Sequence, residues 1–412
     1  MAKIGIDFGT SFCTASWINP STGQPQVIRF SGHDKMPSML YFPTAGEPMV
    51  GWTAFQMIEN CRTMERVEEV QAVMAGIVTG LKPMMQRNQF HYLPGGRKLS
   101  HEQVIGELFK RIRQEAEEVC FEGKPVTEVV ITHPVIFEDW KKEMLKEAAR
   151  IAGFISVELL MEPVAAAMGY MSGRERRRQG ILVYDFGGGT FDVAYVRFDE
   201  EGDYNIPVTP LGDPHCGGTD LNKILYQRWE QLAQQKHGRA ISSDPRMMDK
   251  AFEATDCNRQ KELMSNDKLE SFKHCVILPP PGFCRLEMLL SQKEWHSMIE
   301  PVIDKTLVLT RTIVKSVENS GYSIDKAILI GGSSRIPWVY KCLSETLPVA
   351  PQRVMDVDVA VALGAILYVP HDLIIAGDVY CIHCGTKISS ANRFCWNCGE
   401  PNYKYDKRFN QK

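Results

Sequence analysis

The sequence has 412 residues, of which 44% are hydrophobic, and its formal net charge is −3 at pH 7. This length exceeds what one compact core usually contains, so two or more domains are expected. The small net charge argues against a protein that binds nucleic acids or anionic membranes. The longest apolar run, residues 359–370, is shorter than the roughly 18 residues that span a bilayer.

The first half of the chain alternates between predicted strands and predicted helices. Residues 3–30 have the alternation of strands, and the apolar run at 126–134 is typical of a buried strand. A further short strand is predicted near residue 156. Helical patterns cover residues 53–79, 101–120, 138–154 and an Ala-rich stretch that begins at Pro163.

The second half continues this alternation. Strand pairs are predicted at 181–198 and at 275–290, where the second pair is interrupted by Pro-Pro-Pro-Gly. A strand, a glycine turn and a helix follow one another within 325–347. Further helices are predicted over 221–236, 247–264, 294–320 (one helix or two) and 357–367. The polar stretch after Asp378, which contains cysteines, is expected to form a separate small module.

One unit of this α/β pattern occurs twice. Lys3–Trp17 (KIGIDFGTSFCTASW) and Ile181–Val196 (ILVYDFGGGTFDVAYV) each contain a strand, an Asp, a glycine turn and a second strand. The Asp can point into a cleft, and the glycines can present backbone N–H groups to a phosphate. A single such turn is also common in plain hairpins. Two facing copies can hold one polyphosphate, with Asp7 and Asp185 sharing a hydrated Mg²⁺.

A third glycine turn occurs later in the chain. The sequence LIGGSSRIP, around Gly331–Arg335, is a strand–Gly-Gly–helix step that suits a phosphate or an adenosine.

Other nucleotide-binding motifs match less well. Gly46–Thr53 has the outline of a P-loop, but Trp52 stands at the lysine position. The sequence GGGTFD does not complete a dinucleotide fingerprint because Asp192 replaces the last glycine.

These segments together resemble the ATPase domain of the seventy-kilodalton heat-shock chaperones (DnaK type), in the actin/sugar-kinase superfamily. The resemblance covers roughly residues 3–370. It rests on the two Asp–Gly hairpins and on the following segments: VVITHPVIFEDWKKEMLKEAARIAGF, LLMEPVAAAMGY, GDPHCGGTDLNKIL, AILIGGSSRIPWV and DVAVALGAIL.

The resemblance implies an α/β, two-lobed actin-like ATPase fold built from duplicated ribonuclease-H-like lobes. Lobe I is expected at about 1–178 and lobe II at about 179–370, with a linker at 371–379 and a zinc ribbon at 380–412. Only about 40 residues follow the last ATPase helix, so we expect no peptide-binding domain of the family's usual kind.

The resemblance also implies roles for individual residues. Asp7 and Asp185 would position Mg²⁺ and the attacking water, Glu162 would act through water, and Asp192 would support the metal shell. Lys82 is the candidate for the family's cleft lysine, with a solvated residue at a helix end as the alternative. The expected phosphate-binding residues are Gly9, Thr10, Ser11, Phe12, Gly187, Gly188, Gly189, Thr190 and Gly218.

The adenosine is expected to bind on one face of a helix and on the third glycine turn. This set comprises Asn258, Lys261, Ser265, Gly331, Gly332, Ser333, Arg335 and Asp358. Two positions depart from the family pattern, since Asn258 and Thr219 stand where glutamates are usual near the ribose, and a weaker nucleotide affinity is therefore expected. His133 replaces a small apolar residue, and we expect it to be a packed or wall residue.

The C-terminal cysteines form two C-x-x-C-G motifs that lie ten residues apart. This spacing predicts a structural Zn²⁺ held by four thiolates, Cys381, Cys384, Cys395 and Cys398. Gly385 and Gly399 can take the positive φ that such a motif uses. Two disulfides, a redox pair or an iron site are the alternatives. The other eight cysteines are scattered, which favours free thiols in a reducing cytoplasm.

Three functions remain open at this point. The first is a chaperone-like ATPase that converts ATP and water to ADP and phosphate and controls a protein partner through the ribbon or a lobe surface. The second is an ATP-dependent scaffold with little hydrolysis. The third is a small-molecule kinase of the same superfamily, which would require an acceptor pocket with its own base, and no motif for one is found.

Overall fold

The computed structural model describes residues 2–61, 67–174, 178–200, 203–238, 240–241, 257–265, 270–278, 284–353, 359–368, 378–380, 387–389, 397 and 399. The α-helices in these ranges are α1 Trp52–Cys61, α2 Val67–Gly76, α3 His101–Cys120, α4 Asp139–Ile151, α5 Glu162–Met171, α6 Gly218–His237, α7 Cys257–Met264, α8 Gln292–Asn319, α9 Pro337–Thr346 and α10 Ala360–Leu367. Short 3-10 helices cover Pro94–Gly96 and Gly332–Arg335.

The strands belong to two large sheets and several small ones. In chain order they are β1 Ala2–Phe8, β2 Phe12–Ile18, β3 Pro25–Val27, β4 Met36–Pro37, β5 Leu40–Tyr41, β6 Met49–Val50, β7 Ile77–Val78, β8 Phe90–Leu93, β9 Arg97–Ser100, β10 Val126–His133, β11 Ser156–Met161, β12 Gln179–Phe186, β13 Phe191–Phe198, β14 Tyr204–Asn205, β15 Leu211–Asp213, β16 Ser271–Leu278, β17 Cys284–Ser291, β18 Lys326–Ile330, β19 Pro351–Arg353, β20 Asp378–Tyr380 and β21 Lys387–Ser389.

The two large sheets have the same topology. The first runs β11-β10-β1-β2-β3 and the second runs β19-β18-β12-β13-β14. In each sheet the Asp-bearing strand pairs antiparallel with the next strand in the chain, as β1 with β2 and β12 with β13. On its other side it pairs parallel with a later strand, β10 or β18. The internal duplication predicted from the sequence is therefore confirmed.

Three groups of buried side chains hold these sheets and their helices together. One lies between the first sheet, α3 and α4, and another between the second sheet, α6, α8 and α9. The third combines α5 and α10 with residues of both sheets, such as Val130 and Ile328. Because this third core contains strands from both halves, it joins the two sheets into one structure.

Glycine allows α5 and α10 to cross at close range. A Cβ atom at Gly364 would lie 1.6 Å from the Ala165 carbonyl oxygen, and one at Gly169 would lie 2.2 Å from the Ala360 oxygen. The Ser16 hydroxyl donates to the Ala362 carbonyl oxygen at 2.6 Å, which fastens β2 to α10. Any larger residue at Gly364 would push the two helices apart.

Most predicted elements are confirmed, with a few corrections. The predicted helix over 53–79 ends at Gly76, because Ile77 and Val78 pair with β5. The region 294–320 is a single helix, α8, that continues through Pro301 and begins with a capping box of Ser291 and Glu294. Residues 247–256, within another predicted helix, lie outside the described residues.

Only a small part of the C-terminal module belongs to the described residues. There β20 and β21 pair antiparallel, and Gly399 has the positive φ, 72°, that its place in the motif predicted. A Cβ at Gly399 would lie 2.3 Å from the Ile206 carbonyl oxygen, so this residue contacts the region of the second sheet. The four predicted zinc ligands and Asp358 lie outside the described residues.

Two further expectations concern thiols and membranes. In the ranges given above, six cysteines are free: Cys13, Cys120, Cys216, Cys257, Cys275 and Cys342. In the same ranges, no helix has both the length and the apolar character needed to cross a bilayer.

Candidate active site

A cleft of about 510 Å³ lies where the Asp-bearing strands of the two sheets face each other. Asp7 comes from β1 and Asp185 from β12, and glycine turns follow both residues. Most of the residues predicted to bind nucleotide line this cleft: Asp7, Gly9, Thr10, Ser11, Phe12, Lys82, Glu162, Asp185, Gly187, Gly188, Thr190, Asn258, Lys261, Ser265, Gly331, Gly332, Ser333 and Arg335.

The two phosphate turns approach each other closely across the cleft. A Cβ atom built on Gly189 would lie 2.9 Å from the Thr10 hydroxyl oxygen, and one on Gly188 would lie 3.3 Å from the Ser11 hydroxyl oxygen. The turns approach this closely because the second turn has no side chains at these positions. They are therefore placed to contact one polyphosphate from both sides.

The second phosphate turn is held by its backbone carbonyl groups. The Gly187 oxygen accepts from the Gly218 N–H at 3.0 Å and from the Ser333 hydroxyl at 2.8 Å. The Gly188 oxygen accepts from the Thr219 N–H at 2.7 Å and from its hydroxyl at 2.8 Å. Thr219, one of the departures noted in the sequence, therefore holds the phosphate turn. These bonds fix the orientation of the turn's peptide groups.

The third glycine turn packs directly against Asp185. Gly331 has a φ of 78°, a conformation that favours glycine. A Cβ at this position would lie 2.6 Å from Asp185 Oδ1 and 2.5 Å from the Phe186 carbonyl oxygen. Glycine is therefore required here both by the backbone conformation and by the space available.

Lys82 makes an ion pair inside the cleft. Its Nζ lies 2.5 Å from Glu162 Oε1, and both residues are buried, with exposed fractions of 7% and 5%. Burial opposes the positive charge, but the carboxylates of Glu162, Asp7 and Asp185 outweigh it and raise the pKa of Lys82. The alternative of a solvated residue at a helix end is therefore wrong, and Lys82 is a charged residue of the cleft.

Asp185 and Asp192 form an acidic pair on neighbouring strands. Burial, followed by repulsion from Glu162 and other carboxylates, raises the pKa of Asp185 well above its ordinary value. Burial and Glu162 likewise raise the pKa of Asp192 to about 7. Asp192 Oδ1 accepts from the Val135 N–H at 3.2 Å, whereas its Oδ2 is buried without a hydrogen-bond partner.

This cluster of acids is suited to a hydrated Mg²⁺. Glu162, Asp185 and Asp192 are all buried near Lys82, and Asp192 retains an oxygen without a hydrogen-bond partner. Within the described ranges, no three metal-ligating side chains are close enough to bind one ion directly. Mg²⁺ usually keeps several waters and binds through one or two carboxylates together with phosphates, so Asp7 and Asp185, with Asp192 behind them, fit this ion.

Two residues at the end of β10, Thr132 and His133, are packed near the acids of the cleft, and Thr132 bonds to one of them. The Thr132 hydroxyl donates to Asp7 Oδ1 at 3.0 Å. The next residue, His133, is buried and stacks on Phe137 with ring centroids 5.8 Å apart. Burial lowers the pKa of His133 to about 4, and its Nδ1 lies 2.7 Å from the Pro134 carbonyl oxygen. The prediction that His133 is a packed residue is confirmed.

Helix α7 supplies the side of the cleft that was assigned to adenosine. Lys261 Nζ donates to the Gly218 carbonyl oxygen at 3.2 Å, and burial lowers the pKa of Lys261 to about 8. Asn258 donates to Glu262 Oε1 at 3.2 Å on the same helix. The amide at position 258 is thus paired with a carboxylate one turn later.

Several cleft residues were not predicted from the sequence: Thr14, Lys35, Glu262, Ile336 and Val361. Lys35 Nζ lies 4.6 Å from the centre of the Phe12 ring, so it adds a second cation near the first phosphate turn. No motif marks Lys35, because it lies in irregular chain before β4. Glu262 could have been recognised from its spacing of four residues after Asn258.

Three predicted residues support the cleft without lining it. Gly189 contacts Thr10, Gly218 begins α6 beneath the second turn, and Asp192 lies beside Asp185 on β13.

Comparison with known proteins places this cleft in a family. The family model for Hsp70 protein matches residues 3–369. The chain is 28% identical over 365 residues to the chaperone protein DnaK of Thermosipho africanus, covering 88% of this chain and 58% of the relative. It is 32% identical over 390 residues to heat shock 70 kDa protein BIP3 of Oryza sativa, covering 88% of this chain and 55% of the relative.

The chain thus spans little more than half the length of these relatives. The matched region contains both Asp–Gly hairpins, the Lys82–Glu162 pair and the third glycine turn. The chain therefore belongs to the Hsp70 family, and residues 3–369 correspond to the ATPase domain of that family.

Proposed function

We propose that the cleft binds ATP with Mg²⁺ and hydrolyses the ATP to ADP and phosphate. The observation that carries this proposal is the close approach of the two phosphate turns beside Asp7, Asp185 and the buried Lys82–Glu162 pair. Phosphoryl transfer needs little covalent chemistry from a protein. It depends on positioning and on electrostatic stabilisation, which this set of residues can supply.

Each residue has a distinct part in this mechanism. The Lys82 ammonium stabilises negative charge that develops on the transferred phosphate. Glu162 holds Lys82 and can accept a hydrogen bond from the attacking water. Thr10, Ser11 and Thr190 donate hydrogen bonds to phosphate oxygens. Mg²⁺, held by Asp7 and Asp185 through its waters, would neutralise charge on the phosphates when bound.

The adenosine occupies the other half of the cleft in this proposal. Asn258 and Lys261 lie on α7 and Ser265 directly follows it. All three line the cleft, as does Arg335 of the third turn. The carboxylate of Glu262 beside Asn258 gives this face an acidic group that can accept from hydroxyl or amino groups of a nucleoside.

Two other functions make different predictions. A scaffold would bind ATP with little turnover, and the buried, charged Lys82 argues for hydrolysis instead. A kinase would need an acceptor molecule.

The test is to incubate the full chain with ATP and Mg²⁺ without an acceptor and to measure released phosphate. Steady release supports hydrolysis, whereas binding without release supports the scaffold.

The chaperone-like part of the proposal concerns a protein partner. The DnaK relative is named as a chaperone protein, and we propose that closure of the two lobes, about 1–178 and 179–370, controls partner binding at the ribbon or a lobe surface. A ligand shifts such an equilibrium only through different affinities for the two states. A pull-down with and without ATP, repeated with residues 371–412 deleted, tests this part. A cytoplasmic location and the zinc ribbon at 380–412 also remain predictions.

A further inference from the structure

His101, the first residue of α3, connects that helix to the turn that carries Lys82. Its side chain is fully buried. Its Nε2 lies 2.8 Å from the Leu81 carbonyl oxygen, and its Nδ1 lies 2.8 Å from His91 Nε2. Its backbone N–H donates to the Gln89 carbonyl oxygen at 3.1 Å. A single residue therefore holds both ends of the segment 81–89, which contains Lys82.

The hydrogen-bond partners determine which ring nitrogens of His101 and His91 carry a hydrogen. A carbonyl oxygen can only accept, so His101 Nε2 carries a hydrogen and donates it to Leu81. In a neutral ring Nδ1 is then an acceptor, which makes His91 Nε2 the donor of the second bond. Burial lowers the pKa of both histidines, in agreement with neutral rings.

The Leu81 carbonyl belongs to the peptide group that leads directly into Lys82. Leu81 is fully buried, and the Met84 N–H donates to the Gly80 carbonyl oxygen at 3.0 Å across the same turn. The bond from His101 holds this carbonyl and so restricts ψ of Leu81, the dihedral angle that sets the direction in which the chain enters Lys82. A fixed entry direction favours the side-chain position in which Lys82 reaches Glu162.

The start of α3 does not itself require a histidine at position 101. Ser100 caps the helix by accepting from the Gln103 N–H, and the Gln103 side chain accepts from the Ser100 N–H at 2.8 Å. Buried residues of α3, such as Val104 and Ile105, anchor the helix in the first core. The imidazole bond to Leu81 is thus an addition to a helix start that is already complete.

We propose that His101 is a positioning residue for hydrolysis, because its bond to the Leu81 carbonyl directs Lys82 into the cleft. This inference rests on the proposed ATPase function and on the part given there to Lys82. His101 does not line the cleft, so its loss should alter the rate of the chemical step more than the binding of ATP.

The first test compares two replacements that differ in hydrogen bonding. His101→Leu fills similar space without a donor, and we expect kcat for phosphate release to fall about tenfold, with KM for ATP changed by less than about twofold. His101→Gln can keep an N–H group near the position of Nε2, and it should restore most of the rate. His296→Leu is the control, because His296 stacks on Trp338 and neither residue lines the cleft, so its rate should stay near that of the wild type.

The second test is a double-mutant cycle with Lys82→Met, measured as single turnover on samples with native melting temperatures. If His101 acts through Lys82, adding His101→Leu to Lys82→Met should leave the residual rate unchanged. A further tenfold loss in the double variant would overturn the inference, as would full activity of His101→Leu alone. Full activity of Lys82→Met would show that Lys82 has no catalytic part and would overturn the inference as well. The proposed function fails only if the wild type releases no phosphate, so the two failures can be distinguished.

Discussion

Lys82 Nζ lies 2.5 Å from Glu162 Oε1, although 80 residues separate them in the chain. The pair joins the turn after β7 to the first residue of α5. It also supplies positive charge among Asp7, Asp185 and Asp192, each of which would otherwise repel the others. The buried lysine therefore offsets the charge of the cleft carboxylates and is also the cation that would face a bound phosphate.

We expect Lys82→Met to reduce kcat for ATP hydrolysis by roughly 10²–10³-fold, as loss of one transition-state donor typically does. ATP should still bind, because the phosphate turns remain in place. Single-turnover phosphate release measures the rate, and calorimetry measures the affinity. Hydrolysis within a few-fold of wild type would show that Lys82 has no catalytic part.

Acid should destabilise the protein through His133. Its folded pKa of about 4 lies below the ordinary value of 6.5, so the unfolded state binds the extra proton as the pH falls. Its contribution to stability is complete above pH 6.5 and is lost as the pH falls toward 4. We expect His133→Val to show a smaller loss of melting temperature between pH 7 and about 4.5. An identical loss in both proteins would contradict this.

The α5–α10 crossing should tolerate no side chain at Gly364. Because the added Cβ would lie 1.6 Å from a backbone oxygen, Gly364→Ala should lower the free energy of unfolding by about 3 kcal/mol or more. Gly332→Ala is the control for stability, since nothing lies within 4 Å of its added Cβ. Equal melting temperatures for the two variants would mean that the helices can separate without cost.

The cysteine motifs predict one zinc per chain. Sites of this kind have apparent binding energies of roughly 10–16 kcal/mol in peptides, so Cys381→Ser with Cys384→Ser should abolish metal binding. Residues 3–369 have their own cores and should keep their thermal transition and ATP turnover. Elemental analysis of the metal-replete protein checks the stoichiometry, and an absence of zinc would refute the ribbon.

The sequence was sufficient to predict the parts of the site that depend on local chain geometry. The Asp–Gly turns at residues 7–10 and 185–190 are recognisable because they interrupt apolar strands. The repeated unit predicted the two similar sheets. Residues placed by distant contacts were harder to assign. Lys82 remained ambiguous because its direction depends on His101 and Glu162, and Lys35 was missed because only the folded chain brings it over Phe12.

The same limit applies to packing and to short strands. Ile77 and Val78 continue a helical pattern in the sequence, yet pairing with β5 makes them a strand. Gly364 lies in an apolar run that predicts a buried helix, but the contact with Ala165 that requires a glycine there comes from another helix. In both cases the deciding interaction is with a residue far away in the sequence.

The most direct test of hydrolysis in this cleft compares phosphate release by the wild type and Asp185→Asn with ATP and Mg²⁺. We expect steady release without an acceptor for the wild type and none for the variant. Since burial and repulsion already raise the pKa of Asp185, the variant should melt at the same temperature or higher without nucleotide. Equal turnover by both proteins, or none by either, would contradict the account.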